Sequence, residues 1–327
     1  MKFQIPEAMR LREEAICDVL RHAAETGGET GEAAELLEVI LLPHLARERV
    51  DILEPLGLLP LLAQGEVRPE MAGVLPQISQ LKSDLHGLRV EHAAMLSAMK
   101  RFVAVARAEE KSAHARFAER LLFRAWLDES VFTPLAILIG KYLEQRLDRK
   151  APPTPAASPA PLASMKLELP EALQLSHTQL SAALIKAARA GDRAKALADS
   201  IGKLLEPHLQ HEEANVLRIL GLLAPLAAGN FDPEWIEDVS LWGDLETNES
   251  TLDREHSALI TAGEELLEIA RNEGAGDVLD FAERLLLRIR LTKEVFYPAA
   301  LLVRHYLKLN SPAGPSPKTR SVAKAEL

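Results

Sequence analysis

Apolar residues recur along the chain at steps of three and four, the spacing that lines one face of a helix. The pattern predicts helices over about 7–26, 31–63, 82–108 and 112–147, and again over about 171–190, 194–227, 247–272 and 276–309. The breaks carry turn chemistry: TGGET at 26–30, AGD at 190–192, AGNFDPE at 228–234 and NEGAGD at 272–277. No run alternates with period two for long enough to predict a strand. Four amphipathic helices with modest connections imply an antiparallel bundle, so the expected fold is all-α, with two tandem four-helix bundles.

The two bundles are one unit written twice. IPEAMRL at the start corresponds to LPEALQL at 169–175, LLPHLARE (41–48) to LEPHLQHE (205–212), and LRVEHAAM (88–95) to LDREHSAL (252–259). FAERLLFRAWLDESVFTPLAILIGKYL (117–143) corresponds to FAERLLLRIRLTKEVFYPAALLVRHYL (281–307). His44 and His208, His92 and His256, and Pro134 and Pro298 are all 164 positions apart. That period is far longer than a solenoid repeat, so the chain is a tandem duplication. Prolines 152, 153, 155, 159 and 161 mark 148–168 as an extended linker. The units are then 1–147 and 169–309, with a disordered tail expected over 310–327.

Composition narrows the functional classes. The 327 residues are 47% apolar and 26% charged, the balance of a soluble globular protein, and only 4% aromatic, which favours helices over sheets. A net charge of −10 argues against nucleic-acid partners, which need a basic face. The single Cys17 excludes an internal disulfide and any cysteine-based metal cluster. The longest apolar runs, 56–63 and 219–228, are far short of the ~20 residues of a membrane helix. The first residues contain no apolar signal core, so a cytoplasmic protein is expected.

The informative residues are polar ones inside the apolar stripes. In the second copy, His177 continues the stripe of Leu173, Leu180 and Leu184, and His256 lies with Leu252 and Leu259. His208 and Glu212, four apart, share a face, as do Arg290, Glu294, Tyr297 and Leu301. A closed bundle would then bury His177, His208, Glu212, His256 and Glu294 together. Unpaired, such groups cost several kcal/mol each, whereas one bound cation compensates them all. His22, His86, His114, His211 and His305 read as surface residues.

This pattern resembles the hemerythrin-like (HHE cation-binding) family. That family places a His on helix one, H-x-x-x-E on helix two, E-H on helix three, and H-x-x-x-E before an apolar–Pro step on helix four. His177 matches the first position, His208 with Glu212 the second, Glu255-His256 the third, and Glu294 with VFYP the end of the fourth. The resemblance implies four-helix bundles around a carboxylate-bridged di-iron site that senses or carries oxygen, nitric oxide or iron. The chain departs from it at the fourth-helix His, where Arg290 stands. In the first copy Glu13, Trp126 and Ser130 stand at the first-helix His, fourth-helix His and fourth-helix Glu. Only Glu13, His44, Glu48 and His92 are left there as a weaker ligand set.

Three readings follow, the last-ranked being an iron-dependent oxidase. In the first, iron (mono- or dinuclear) or another transition metal sits mainly in the second bundle, and the protein senses or carries a small ligand such as oxygen or nitric oxide without being an enzyme. In the second, the bundles are a metal-free scaffold for a protein partner, with Arg290 pairing Glu212 and Glu294. Pro298, inside the fourth helix, cannot donate to the Glu294 carbonyl, so the helix should loosen there.

Overall fold

The computed structural model describes residues 4–10, 13–147, 169–189, 192–232, 234–235 and 245–311. The linker expected at 148–168 lies outside them, as does the tail beyond 311; the side chain of Glu13 is also outside. The described residues are helical, with no strand among them. No helix among them is long and apolar enough to cross a membrane.

The first half runs from a 3-10 turn at Glu7–Met9 through α1 (Glu13–Glu25), α2 (Gly28–Glu48), α3 (Glu54–Leu56), α4 (Leu59–Ala63), α5 (Leu75–Ser83), α6 (Leu85–Ala108), α7 (Ser112–Leu127) and α8 (Thr133–Leu147). The second runs through α9 (Glu171–Ala187), α10 (Asp192–Glu212), α11 (Arg218–Leu220), α12 (Leu223–Ala228), α13 (Leu245–Glu273), α14 (Gly276–Leu291) and α15 (Tyr297–Asn310). The last helix reaches Asn310, one residue into the expected tail. Within the second half α9, α10, α13 and α14 close a ring of contacts, and in the first half α1 packs on α2, α2 on α6 and α6 on α7. Gly27 and Gly28, with φ of 64° and 71°, take the left-handed backbone that reverses the chain between α1 and α2.

Four π turns interrupt the long helices: Arg49–Leu53, Asp128–Phe132, Glu213–Leu217 and Thr292–Phe296. They pair off at the duplication offset. After Asp128 and Thr292 the ladder widens, so that Thr133 N–H reaches the Asp128 carbonyl and Tyr297 N–H reaches that of Thr292. The prolines that follow, Pro134 and Pro298, have no N–H to give, and the wide turn accommodates this without ending the helix. Nothing comparable explains the turn at Glu213–Leu217, which no proline follows.

The halves pack through a swapped arrangement rather than side by side. α4 of the first half packs on α15 of the second, and α12 of the second on α8 of the first. One apolar core therefore takes Leu59, Leu62, Leu135, Leu138 and Tyr142 from one half and Leu223, Leu226, Leu302, Val303 and Tyr306 from the other. Polar contacts repeat the exchange. Arg120 pairs with Glu283 (3.3 Å), and the equivalent Arg284 pairs with Glu119 (3.1 Å). Lys141 Nζ donates to the Leu226 carbonyl (3.0 Å), and the equivalent His305 donates from Nδ1 to the Leu62 carbonyl (3.2 Å). His305, expected at the surface, is thus half-buried between the halves. The contacts between the halves are thus reciprocal, each contact between equivalent residues made twice.

Each fully buried leucine contributes roughly 1.5–3 kcal/mol, so a half deprived of its counterpart loses many kcal/mol of burial. Residues 1–147 and 169–311, expressed alone, should each bind a hydrophobic dye or self-associate, and should form a one-to-one complex when mixed. Two separate halves that are monomeric and melt as high as the whole chain would contradict the shared core.

Candidate functional site

In each half a buried arginine meets the glutamate that follows the second-helix histidine. The wide turn after α10 begins directly behind Glu212, and α14 brings Arg288 opposite it. Arg288 Nη2 donates to Glu212 Oε2 (2.8 Å) and to His177 Nε2 (3.2 Å). The Thr292 hydroxyl donates to the other carboxylate oxygen, Glu212 Oε1. Glu212 and Arg288 are buried, and the guanidinium lies 4.9 Å over the Phe296 ring. Burial alone would raise the Glu212 carboxyl, but Arg288 foremost, then His177, His208 and Thr292, holds it at about 2. Burial pushes the Arg288 guanidinium down, with Glu212 opposing. A guanidinium stays protonated under either influence, so this is an ion pair.

The first half repeats the arrangement with an additional carboxyl. Arg124, equivalent to Arg288, pairs with Glu48 through Nη2 and with Asp128 through Nε (2.7 Å), 4.8 Å over Phe132. Burial raises the Asp128 carboxyl well above the usual range despite Arg124, and the neighbouring Glu48 adds to the rise. Of the two carboxyls at Arg124, Asp128 is thus the one whose neutral form burial favours. The same two carboxylates raise Arg124 against its own burial.

The histidines sit beside these pairs. His208 and His256 meet edge to face with centroids 4.7 Å apart, and His44 and His92 stack at 5.6 Å. His208 donates from Nδ1 to Glu255 (2.9 Å), which also accepts from the exposed His211 (3.0 Å). His256 Nε2, His92 Nε2 and His44 Nδ1 are buried with no hydrogen-bond partner. Burial, then His208, lowers His256 to about 4, and burial also lowers His44 and His92, so these rings are neutral at pH 7.

The structure thus brings His177 and Glu212 together and sets His208 against His256, but it takes other expected residues elsewhere. Glu294 is half-buried and accepts the Ala8 N–H of the first half (2.9 Å). Arg290 is exposed and so cannot pair with Glu212, while Trp126 is half-buried, packed against the shared core. Ser130 hydrogen-bonds the Trp126 carbonyl (2.7 Å). The inward residues of α14 and α7 lie two positions earlier than expected, at Arg288 with Thr292 and Arg124 with Asp128. The stripe through Arg290, Glu294, Tyr297 and Leu301 assumed one unbroken helix, and the π turn shifts the phase between Arg290 and Tyr297. The duplication held the missing signal: Arg124 and Arg288 are identical at equivalent positions, whereas Trp126 and Arg290 differ.

A metal site needs its donor atoms aimed at a shared empty point. Here Glu212 and His177 aim at a guanidinium nitrogen, and Glu48 and Asp128 at another. This donor set does not fit a transition metal, and among the described residues no three His, Cys, Asp or Glu side chains form a metal-holding group.

Removing one partner from a buried ion pair leaves the other uncompensated, at a cost of about 3–5 kcal/mol. Arg288→Met should lower unfolding stability in urea by that amount, and the exposed Arg290→Met by no more than about 0.5 kcal/mol. Equal effects would show that Arg288 is not the inward residue. Asp128 gives a pH prediction. Its carboxyl is raised in the folded chain, so its contribution is complete below the ordinary aspartate pKa of 3.8 and is lost as pH rises towards the folded value. Asp128→Asn keeps the acceptor for Arg124 and a donor for Glu48 without holding a proton. Its melting temperature should therefore fall less than that of the parent between pH 5 and pH 8.

These side chains carry the functional reading by themselves, because no family model matches the chain and neither a curated protein nor a solved structure matches it significantly.

Proposed function

We propose that the chain is a pair of hemerythrin-like four-helix bundles that have become a metal-free, non-catalytic scaffold for protein interaction. The observation that carries this is the guanidinium donated to the buried glutamate in both halves, Arg124 to Glu48 and Arg288 to Glu212. It supplies the positive charge that a cation would otherwise bring, on a side chain that cannot dissociate.

The rival reading, iron in the second bundle on His177, His208, Glu212 and His256, draws on the unpartnered His256 Nε2. Metal content separates the two. Chain purified without affinity metal from iron-supplemented cells should carry less than about a tenth of an iron per chain, and chelator should leave its melting temperature unchanged. About one iron per chain, lost in His208→Ala, would overturn the metal-free reading. Arg288→His, which removes the fixed charge beside His177 and Glu212, should raise the iron content above that of the parent.

A further inference from the structure

A cavity of about 440 Å³ opens between the halves, lined by α4 of the first and by α13, α15 and the turn at Thr292–Phe296 of the second. Pro60, Ala63, Leu252, Pro298 and Leu301 give it apolar walls, and Tyr297 and His305 set rings among them. A cavity of roughly 150 Å³ takes up benzene, and ligand sites run from about 300 to 1,000 Å³. This one has room for two fused rings, and junctions between packed units are where such sites concentrate.

The polar groups select the occupant. The charged side chains in the lining are Asp253 and Lys293, which hold each other at 2.7 Å and are both more than half exposed. Neither charge is left over to draw an ion against the apolar walls, where an unpaired charge is costly. His256 also borders the cavity, but its Nε2 is sealed within the wall. His305 offers more. Its Nδ1 donates to the Leu62 carbonyl (3.2 Å), which fixes the tautomer and leaves a lone pair on Nε2. Leu62 and Gly65 lie on the Nδ1–Cε1 side of the ring, so the edge left to the cavity carries Nε2. Burial foremost, opposed by the Leu62 bond and supported by Lys308, Arg304 and Arg146, lowers the His305 pKa, so the ring is neutral at pH 7.

The duplication shows that folding does not call for this acceptor. Lys141, at the equivalent place, makes the same contact by donating to the Leu226 carbonyl (3.0 Å), and an ammonium has no lone pair to spare. The contact between the halves needs a donor. His305 supplies it and adds an acceptor on the side of the cavity. We propose that this cavity binds an uncharged aromatic molecule bearing a hydroxyl group, its rings held between α4 and α15 and its O–H donated to His305 Nε2. A planar body suits walls that already contain rings, and a hydroxyl supplies the donor that Nε2 lacks. The inference goes beyond the scaffold reading and does not depend on whether the buried ion pairs exclude iron.

Calorimetric titration of the full chain with 2-naphthol should show one site per chain with a micromolar dissociation constant. 2-Methoxynaphthalene keeps the rings but has no proton to donate, so it should bind about fivefold more weakly, the ratio for one hydrogen bond. His305→Lys restores the residue type of the other half and keeps the donor to Leu62. It should abolish the preference for 2-naphthol over the methoxy compound. Leu301→Trp, which fills the cavity from a half-buried position, should abolish binding of both compounds with the melting curve of the parent, and so should Ala63→Phe from α4. No binding of 2-naphthol up to millimolar concentration would overturn the proposal. Equal affinity of the parent for the two compounds, a preference that persists in His305→Lys, or binding that survives both cavity-filling variants would overturn it as well.

Discussion

Everything at the centre of each half depends on one buried ion pair between a guanidinium and a carboxylate. Glu48 and Glu212 are buried at the ends of α2 and α10, where an unpaired carboxylate would cost several kcal/mol. Arg124 and Arg288 remove that cost and tie the second long helix of each half to the fourth. An aromatic ring lies beneath each guanidinium. One turn later Asp128 accepts from Arg124, whereas the Thr292 hydroxyl goes to Glu212 and Arg288 Nε and Nη1 are buried without a hydrogen-bond partner. The two solutions differ in detail. Thr292 gives a neutral donor to the carboxylate in one half, and in the other burial pushes the Asp128 carboxyl towards its neutral form.

The second constraint is the swapped packing of α4 on α15 and α12 on α8. It joins two copies of one unit through a single apolar core, so that neither has a core of its own at that end. The same junction explains Glu294. Placed in the π turn that Pro298 follows, it turns away from its own half and caps the Ala8 N–H of the other. A residue expected to bind a metal inside one half thus contributes to the contact between the halves.

Much of this was legible from the order of residues. The helical period placed the long helices within a few residues, and the offset of 164 positions exposed the duplication. His256 is legible as buried because it continues an apolar stripe, and His208 and Glu212 because, four apart, they share one face of their helix. What the period could not give was phase across a π turn: Arg290, Glu294 and Tyr297 share a face only if the helix is regular, and the turn begins at Thr292, whereas Arg288, before it, keeps step with the buried Phe281 and Leu285. Nor could the period show that α4 packs on α15, because an apolar stripe records that it is covered and not by what.

Two copies of one unit in one chain separate what the fold requires from what it merely permits. Where both halves keep the same residue at a buried place, as with Arg124 and Arg288 or Phe132 and Phe296, packing and charge balance account for it. Where buried residues differ, as with Asp128 and Thr292, the difference lies beside the same ion pair. Differences on the exposed surface touch no such pair. Val39 and Lys203 occupy the same place on equivalent helices with the same access to water, and the fold accepts either. Lysine is the residue that water alone favours there. Val39, 73% exposed, is one of several large apolar side chains, with Val90 and Ile185, that folding neither requires nor forbids at the surface.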